Sequence, residues 1–172
     1  LKITLEHVST SYGVNYVKEN ENIAGTITPH HMLLTKKDVF LDDSINPHNF
    51  CMPVVKTETD LIELRNAACH NNSKFFLGTD SAPHSIKQKK PDMSSKPGIF
   101  SSRCSIELYA EIFDQENAID NLEIFSSING AKHYDFPIND TKIKLEKKEW
   151  ILPEFSTYNN IKVKNFYANK KI

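Results

Sequence analysis

The stretch FFLGTDSAPH, residues 75–84, has the pattern of a short strand that ends in a polar loop. Its three apolar residues at 75–77 are typical of a buried strand, and Gly78 interrupts the run. Asp80 and His84 then place a carboxylate and an imidazole four residues apart. In α/β proteins the ligand sites lie outside the carboxyl ends of parallel strands, so this loop is the first candidate for a site.

Strand and helix patterns alternate upstream of this stretch. In chain order they are a short buried strand over KITLEH (2–7), a helix over 9–20, a strand over IAGTIT (23–28) and a helix over 57–72. His7 lies at the carboxyl end of the first strand, and Ser9 or Thr10 is the predicted N-cap of the first helix. Thr57 with Asp60 matches a capping box.

The downstream half is predicted to begin with a long polar loop, residues 81–99, of the kind that is often functional. Helices are predicted over 101–117 and 118–130, the second ending at Asn129-Gly130. The alternating segment TKIKLEKKEW (141–150) is predicted as a solvent-facing strand, and the tail beyond it has only a weak pattern.

Strands that alternate with helices predict a parallel sheet with crossover helices. Three strands cannot close a barrel, so the pattern fits part of a (β/α)₈ TIM barrel, which normally takes about 250 residues. Catalysis in such barrels occurs at the carboxyl ends of the strands, where His7 and Asp80 fall. The chain opens at Leu1 within a predicted strand, which favours a piece of a longer protein.

Composition narrows the class of protein. A formal net charge of −1 gives no electrostatic reason to expect nucleic acid or an anionic membrane as a partner. No apolar run approaches the roughly 20 residues of a membrane span. The 3 cysteines lack CxxC spacing and predict free thiols in a reducing compartment, hence a cytoplasmic protein.

Two interpretations of His7 and Asp80 are open from the residues alone. A histidine after a strand is often an ordinary loop residue, and an aspartate there is often a turn former. Imidazole and carboxylate at the ends of two parallel strands are also ligands that suit zinc, but a catalytic zinc needs about three protein ligands. His31 and His48 are more remote candidates.

Several segments in the same order and spacing resemble the carboxyl-terminal half of class II dihydroorotases, of the amidohydrolase superfamily. They are LEHVST, GTITPHHML, NPHNFCMPVVK, FFLGTDSAPH, GIF and SINGAKHYDFPIND, and the match runs from Leu1 to about Leu145. The resemblance implies that residues 1–172 are the carboxyl-terminal portion of one TIM-barrel domain, about its last three β/α units plus a carboxyl-terminal extension. It also implies zinc-dependent, reversible cyclisation of N-carbamoyl-L-aspartate to L-dihydroorotate in pyrimidine synthesis, by a possible homodimer.

The resemblance also assigns roles by position. His7 is the ligand of one zinc, and Asp80 is both the ligand of a second zinc and the proton shuttle. His84 binds the substrate carboxylate, and Met52 contacts the substrate ring through its backbone. Pro97 holds a position that usually offers a backbone N–H to the substrate, which proline lacks, so either Gly98 takes over or the loop differs.

Two more histidines follow the second predicted strand. His31 is expected either to be structural or to support the residues that contact metal and substrate, and His30 is expected to face solvent.

The family's H-x-H pair, its metal-bridging carboxylated lysine and a further histidine have no counterpart here, so the chain alone is expected to be inactive. The alternatives are a metal-free dihydroorotase-like assembly partner and a related cyclic amidohydrolase, such as a hydantoinase or allantoinase.

Overall fold

A computed structural model of the chain describes residues 1–70 and 72–170. The predicted second helix crosses position 71, and the predicted domain includes positions 171 and 172, which lie outside these residues. The elements around the main sheet are β1 (Ile3–Leu5), α1 (Ser11–Glu19), β2 (Ile23–Ile27), α2 (Glu58–Cys69), β3 (Phe75–Leu77), α3 (Ser105–Gln115) and α4 (Asn129–His133). A separate hairpin follows, made of β4 (Phe155–Tyr158) and β5 (Ile161–Lys164).

The main sheet has the strand order β1-β2-β3, and both strand pairs are parallel. Gly25 in β2 is the partner of Leu5 on one side and of Phe75 on the other, so the three strands end at nearly the same level. This arrangement confirms the α/β prediction. It also brings the residues that follow β1, β2 and β3 to one edge of the sheet.

The prediction that the first strand is buried is wrong. Ile3 and Leu5 are 46% and 38% exposed, because β1 is an edge strand that pairs with β2 alone among the described residues. Strands β2 and β3 carry the burial instead: Ala24, Ile27 and Phe75 are all nearly inaccessible to solvent.

Helices α1 and α2 cover one face of the sheet and begin as the sequence predicts. The Thr10 side chain accepts a hydrogen bond from the Gly13 N–H at the start of α1. At α2, Thr57 and Asp60 form the predicted capping box, in which each side chain accepts from the other residue's backbone. The buried phenol of Tyr109, on α3, donates to the carbonyl of Ile27 at 2.7 Å and ties that helix to the end of β2.

The predicted helix over 118–130 is instead a series of short helical pieces that does not stop at Gly130. A 3₁₀ turn, a π-helical turn (Ile124–Ile128) and α4 follow one another, and α4 continues to His133. Asn129 is buried, and its side-chain amide donates to the carbonyls of Asn72 and Phe75. Asn129-Gly130 therefore serves packing against β3 and not helix termination.

Two predictions about the carboxyl-terminal region are corrected. Residues 141–150 form no strand, because no described strand lies alongside to pair with them, and Ile143 is 75% exposed. The weakly patterned tail contains the antiparallel β4–β5 hairpin. Its two turn residues, Asn159 and Asn160, both have positive φ, which suits the twist of a two-residue hairpin turn.

The prediction that the cysteines are free thiols is confirmed, since Cys51, Cys69 and Cys104 are all unpaired with one another and buried. Among the described helices, none combines the length and apolar character needed to cross a membrane.

Candidate functional site

The residues that follow β1 and β3 share an unusual backbone conformation. His7 has φ 45° and Asp80 has φ 43°, in the left-handed region that residues other than glycine seldom adopt. Such strained residues concentrate at functional sites, where the surrounding structure holds them in place. The two positions lie at the same edge of the sheet, separated by the width of β2, or about 10 Å between strand axes.

Thr26 in β2 holds the turn at His7 in place. Its hydroxyl accepts the His7 N–H at 2.7 Å, and its carbonyl accepts the Val8 N–H at 2.9 Å. On its other side, Thr26 packs against Gly78, where an added Cβ would come within 2.6 Å of the threonine Cβ. A glycine is therefore required at 78 for the strand to bring Asp80 past Thr26.

The imidazole of His7 is about one-third exposed, and its two nitrogens have different surroundings. Nε2 lies 3.7 Å from a Glu6 carboxylate oxygen. Nδ1 is buried and has no hydrogen-bond partner among the described residues. A buried nitrogen with an unused lone pair is suited to bind a ligand or metal.

The carboxylate of Asp80 accepts no hydrogen bond from residues 1–70 or 72–170. Partial burial raises its pKa above the ordinary value, nearby His7 lowers it, and Glu6 raises it. The net shift is upward, because the effect of burial outweighs that of His7.

The loop after Asp80 is pinned at both ends. Ser81 forms a parallel bridge with Ile99, and the Ala82 N–H donates to the Ile99 carbonyl at 2.9 Å. Next to this bridge, Gly98 has φ 143°, and an added Cβ would lie 2.9 Å from the His84 ring. His84 thus packs against bare glycine backbone, and its imidazole makes no hydrogen bond to a described residue.

Met52 and Pro97, the two proposed backbone contacts, lie in adjoining segments. Met52 is 53% exposed, and Pro97 is exposed as well. The Gly98 N–H donates to the Phe50 carbonyl at 2.9 Å. Gly98 therefore does not supply the N–H that Pro97 lacks, because its own is already bonded within the protein.

The expectation that His30 faces solvent is wrong: it is fully buried beside His31, with ring centroids 4.8 Å apart. Because Pro53 can only accept at its carbonyl, the His31 Nε2–H donates to it at 2.9 Å, and Nδ1 accepts from the Thr28 hydroxyl at 2.7 Å. Both His31 nitrogens are thus used within the protein, as the structural role predicted for it requires.

In the described part of the chain, one group of three side chains could offer ligand atoms to a metal within 4.8 Å of one another. These side chains are His30, His31 and Cys51. Burial raises the pKa of the Cys51 thiol to about 11, and its S–H donates to Pro53. A metal would have to displace this proton and break a His31 hydrogen bond, so the cluster has the character of packed structure. His48 lies away from this cluster, near Lys164 and Lys89. Burial lowers the pKa of its imidazole, and the two lysines add to that shift.

No family model matches the chain. Among curated proteins, it is 44% identical over 161 residues to the dihydroorotase of Pseudoalteromonas atlantica, covering 93% of this chain and 46% of the relative. It is 43% identical over 173 residues to that of Coxiella burnetii, covering 100% of this chain and 49% of the relative. Over nearly its whole length the chain is therefore similar to part of a dihydroorotase. It spans about half the length of the curated relatives it matches.

Solved structures agree with this relation. A Saccharomyces cerevisiae dihydroorotase in complex with 5-fluoroorotic acid is 32% identical with a TM-score of 0.88, over 99% of this chain and 50% of that one. A Campylobacter jejuni dihydroorotase is 34% identical with the same TM-score, over 99% and 49% of the two chains. An Arthrobacter aurescens L-hydantoinase is 19% identical with a TM-score of 0.65, over 77% and 31%, and shares the fold.

Zinc is the metal that the dihydroorotase resemblance implies, and the strand-end residues fit it. His7 offers a buried, unpartnered Nδ1 and Asp80 a carboxylate without a hydrogen bond in the described residues. Imidazole nitrogen and carboxylate oxygen are both zinc ligands. The pair is two donors, fewer than a complete catalytic zinc site needs.

Proposed function

We propose that the whole protein containing this chain is a dihydroorotase that interconverts N-carbamoyl-L-aspartate and L-dihydroorotate with the help of zinc. Identity of 43–44% to dihydroorotases over nearly the whole chain supports the proposal. The observation that carries it is the pair His7 and Asp80, held in left-handed conformations at one edge of the sheet with donor atoms left unpaired.

The chain would then supply the carboxyl-terminal portion of a TIM-barrel domain, about the last three β/α units. The hairpin at the end would belong to the carboxyl-terminal extension. We infer two zinc ions per active site, with His7 a ligand of one and Asp80 a ligand of the other. A carboxylated lysine and the further histidine ligands would come from the remainder of the protein.

Zinc held by His7, Asp80 and ligands from the rest of the protein would polarise the ring carbonyl and lower the pKa of water to about 7. Asp80 takes a proton from the attacking water and delivers it to the ring nitrogen as the amide bond breaks. In the cyclisation direction the same carboxylate accepts the nitrogen's proton.

The loop residues would bind and orient the ring. His84 would hold the substrate carboxylate, since its imidazole makes no hydrogen bond to a described residue. Met52 would contact the ring through its backbone, and Pro97 would line the same side without donating a hydrogen bond. We further propose that the enzyme is cytoplasmic and homodimeric and has no nucleic-acid or membrane partner.

A hydantoinase or allantoinase would use a similar metal site on another ring. Identity of 32–34% to dihydroorotase structures against 19% to the hydantoinase favours dihydroorotate as substrate. The metal-free assembly partner is the remaining alternative, and His7 and Asp80 argue against it because their donor atoms are kept available.

The test is an assay of the purified full-length protein, loaded with zinc, on dihydroorotate, hydantoin and allantoin. We expect ring opening of dihydroorotate to be preferred by at least 100-fold and to be lost on zinc removal. Preference for hydantoin or allantoin, or full activity without metal, would refute the proposal. The 172-residue chain alone should be inactive and should gain activity only when the rest of the enzyme is supplied as a separate polypeptide.

A further inference from the structure

Lys89 lies inside the long loop but is buried, with only 8% of its surface exposed. Its ammonium group donates to three backbone carbonyls: Gly98 at 2.7 Å, Lys96 at 2.9 Å and Phe50 at 3.2 Å. A lysine has three N–H donors and no acceptor. All of its hydrogen-bonding capacity is therefore used on the main chain.

The three carbonyls belong to the two segments that the proposed function assigns to substrate binding. Phe50 comes two residues before Met52, and Gly98 packs against the ring of His84. The Phe50 carbonyl also accepts the Gly98 N–H at 2.9 Å. Lys89 thus lies at the junction of segments 50–52 and 96–98, whose relative position sets the distance between Met52 and His84.

A buried cation is costly unless its surroundings compensate it. Burial lowers the pKa of Lys89 to about 8, the Cys51 thiol opposes this shift, and no described carboxylate forms a salt bridge with Lys89. An apolar side chain of similar length would avoid this cost but could not join the three carbonyls. The three hydrogen bonds therefore compensate the burial of the ammonium group and also fix the geometry of the loop.

We propose that Lys89 is a positioning residue that sets the geometry of the substrate-binding loop by cross-linking segments 50–52 and 96–98 through its three N–H groups. The part of this inference that concerns substrate rests on the proposed function. Lys89 touches neither substrate nor metal in this view. It acts through the backbone that presents Met52 and His84.

The first test compares Lys89→Met with Lys90→Met in the full-length enzyme. Methionine keeps the apolar stem but cannot donate, whereas Lys90 is the exposed neighbour on the same loop. We expect Lys89→Met to raise KM for dihydroorotate about tenfold or more, with kcat changed less than threefold and zinc content unchanged. Lys90→Met should match the parent. An unchanged KM in Lys89→Met would overturn the proposal.

Hydrogen–deuterium exchange gives a readout that does not depend on activity. The Gly98 amide should exchange at least tenfold faster in Lys89→Met than in the parent, with exchange in β2 and α2 unaltered. Faster exchange everywhere would show a general loss of stability and would overturn the positioning role. If the parent does not turn over dihydroorotate, the proposed function fails, and this exchange measurement still decides whether Lys89 joins the segments.

Chemical rescue separates hydrogen bonding from charge. Propylammonium added to Lys89→Ala replaces the missing chain and its N–H groups and should lower KM toward the parent value. Tetramethylammonium carries the charge without an N–H and should not. Equal rescue by both ions, or by neither, would contradict a role through three hydrogen bonds. Lys90→Ala should respond to neither ion.

Discussion

His7 and Asp80, at the carboxyl ends of β1 and β3, differ from His31, which lies beyond the end of β2 at the same edge of the sheet. His7 and Asp80 follow the outer strands in strained conformations and keep donor atoms unpaired within the described residues. Beyond the end of β2, His31 has both ring nitrogens bonded, to Thr28 and Pro53, in a fully buried position. Position at the functional edge is thus not enough for a catalytic role, because the lone pairs must also be free.

The largest effect that would test this contrast is expected from Asp80→Asn. The amide keeps the volume but cannot accept and release a proton, so kcat of the full-length enzyme should fall roughly 1,000-fold or more, on the scale of lost acid–base catalysis. Steady-state kinetics on dihydroorotate would measure it, with circular dichroism to check the fold. Asp43→Asn, on an exposed loop, is the matched control and should retain parent activity. Near-parental turnover by Asp80→Asn would rule out the shuttle.

His84→Ala should act on binding and not on metal. Loss of the charge-assisted contact to the substrate carboxylate should raise KM by about 100-fold, equivalent to ~2.7 kcal/mol. Zinc content measured by atomic absorption should match the parent. Loss of zinc with an unchanged KM would show instead that His84 is a metal ligand.

The β2 side of the comparison is tested by His31→Phe. The ring shape is kept, but the Thr28 hydroxyl and Pro53 carbonyl lose their buried partner, which should lower the free energy of unfolding by about 2–3 kcal/mol. Urea unfolding would measure it, and His70→Phe, at the exposed end of α2, should change stability by less than about 0.5 kcal/mol. If His31→Phe left stability intact but abolished catalysis, the contrast between the strand ends would be wrong.

The smallest expected effect is a dependence of stability on pH. Burial lowers the pKa of His31 to about 4, with Lys56 and His7 acting in the same direction against the Pro53 hydrogen bond. As the pH falls through about 6.5, His31 therefore binds a proton in the unfolded chain but not in the folded protein. This contribution to stability is complete above pH 6.5 and is lost as the pH falls toward 4, by about 1–2 kcal/mol between pH 7 and 5. His31→Phe should lose that part of the dependence, and an identical pH profile for parent and variant would contradict the shift.

Local chemistry accounts for the predictions that held. The caps at Thr10 and Thr57 depend on residues three positions apart, and the apolar run at 75–77 needs only its own composition to be a buried strand. The placement of His7 and Asp80 at one edge follows from parallel strand order. A hairpin signal was also present at Asn159-Asn160, since asparagine tolerates positive φ, and it was the local cue for β4 and β5.

The errors concern features that depend on distant partners. Whether Ile3 is buried depends on a second strand beside β1, and whether residues 141–150 form a strand depends on a partner that is absent from the described residues. Asn129-Gly130 carries a helix-stop signal, but the packing of Asn129 against β3 overrides it. His30 follows a strand in a polar segment, which is typical of an exposed loop residue. It is nevertheless buried against His31 and against Phe166, which lies near the other end of the chain.

The amino-acid sequence by itself determined the alternation of strands and helices, the caps, the family resemblance and the two strand-end residues, because these depend on spacing along the chain. Only the tertiary structure decided which side-chain and backbone polar atoms are hydrogen-bonded within the protein and which are available to a ligand. In the folded protein the Gly98 N–H donates to the Phe50 carbonyl, and both ring nitrogens of His31 are hydrogen-bonded. Three backbone carbonyls accept hydrogen bonds from Lys89. The physical reason is that hydrogen bonds and burial join residues 39 to 82 positions apart, as for Lys89 with Phe50 and Tyr109 with Ile27, and no local pattern encodes such pairs.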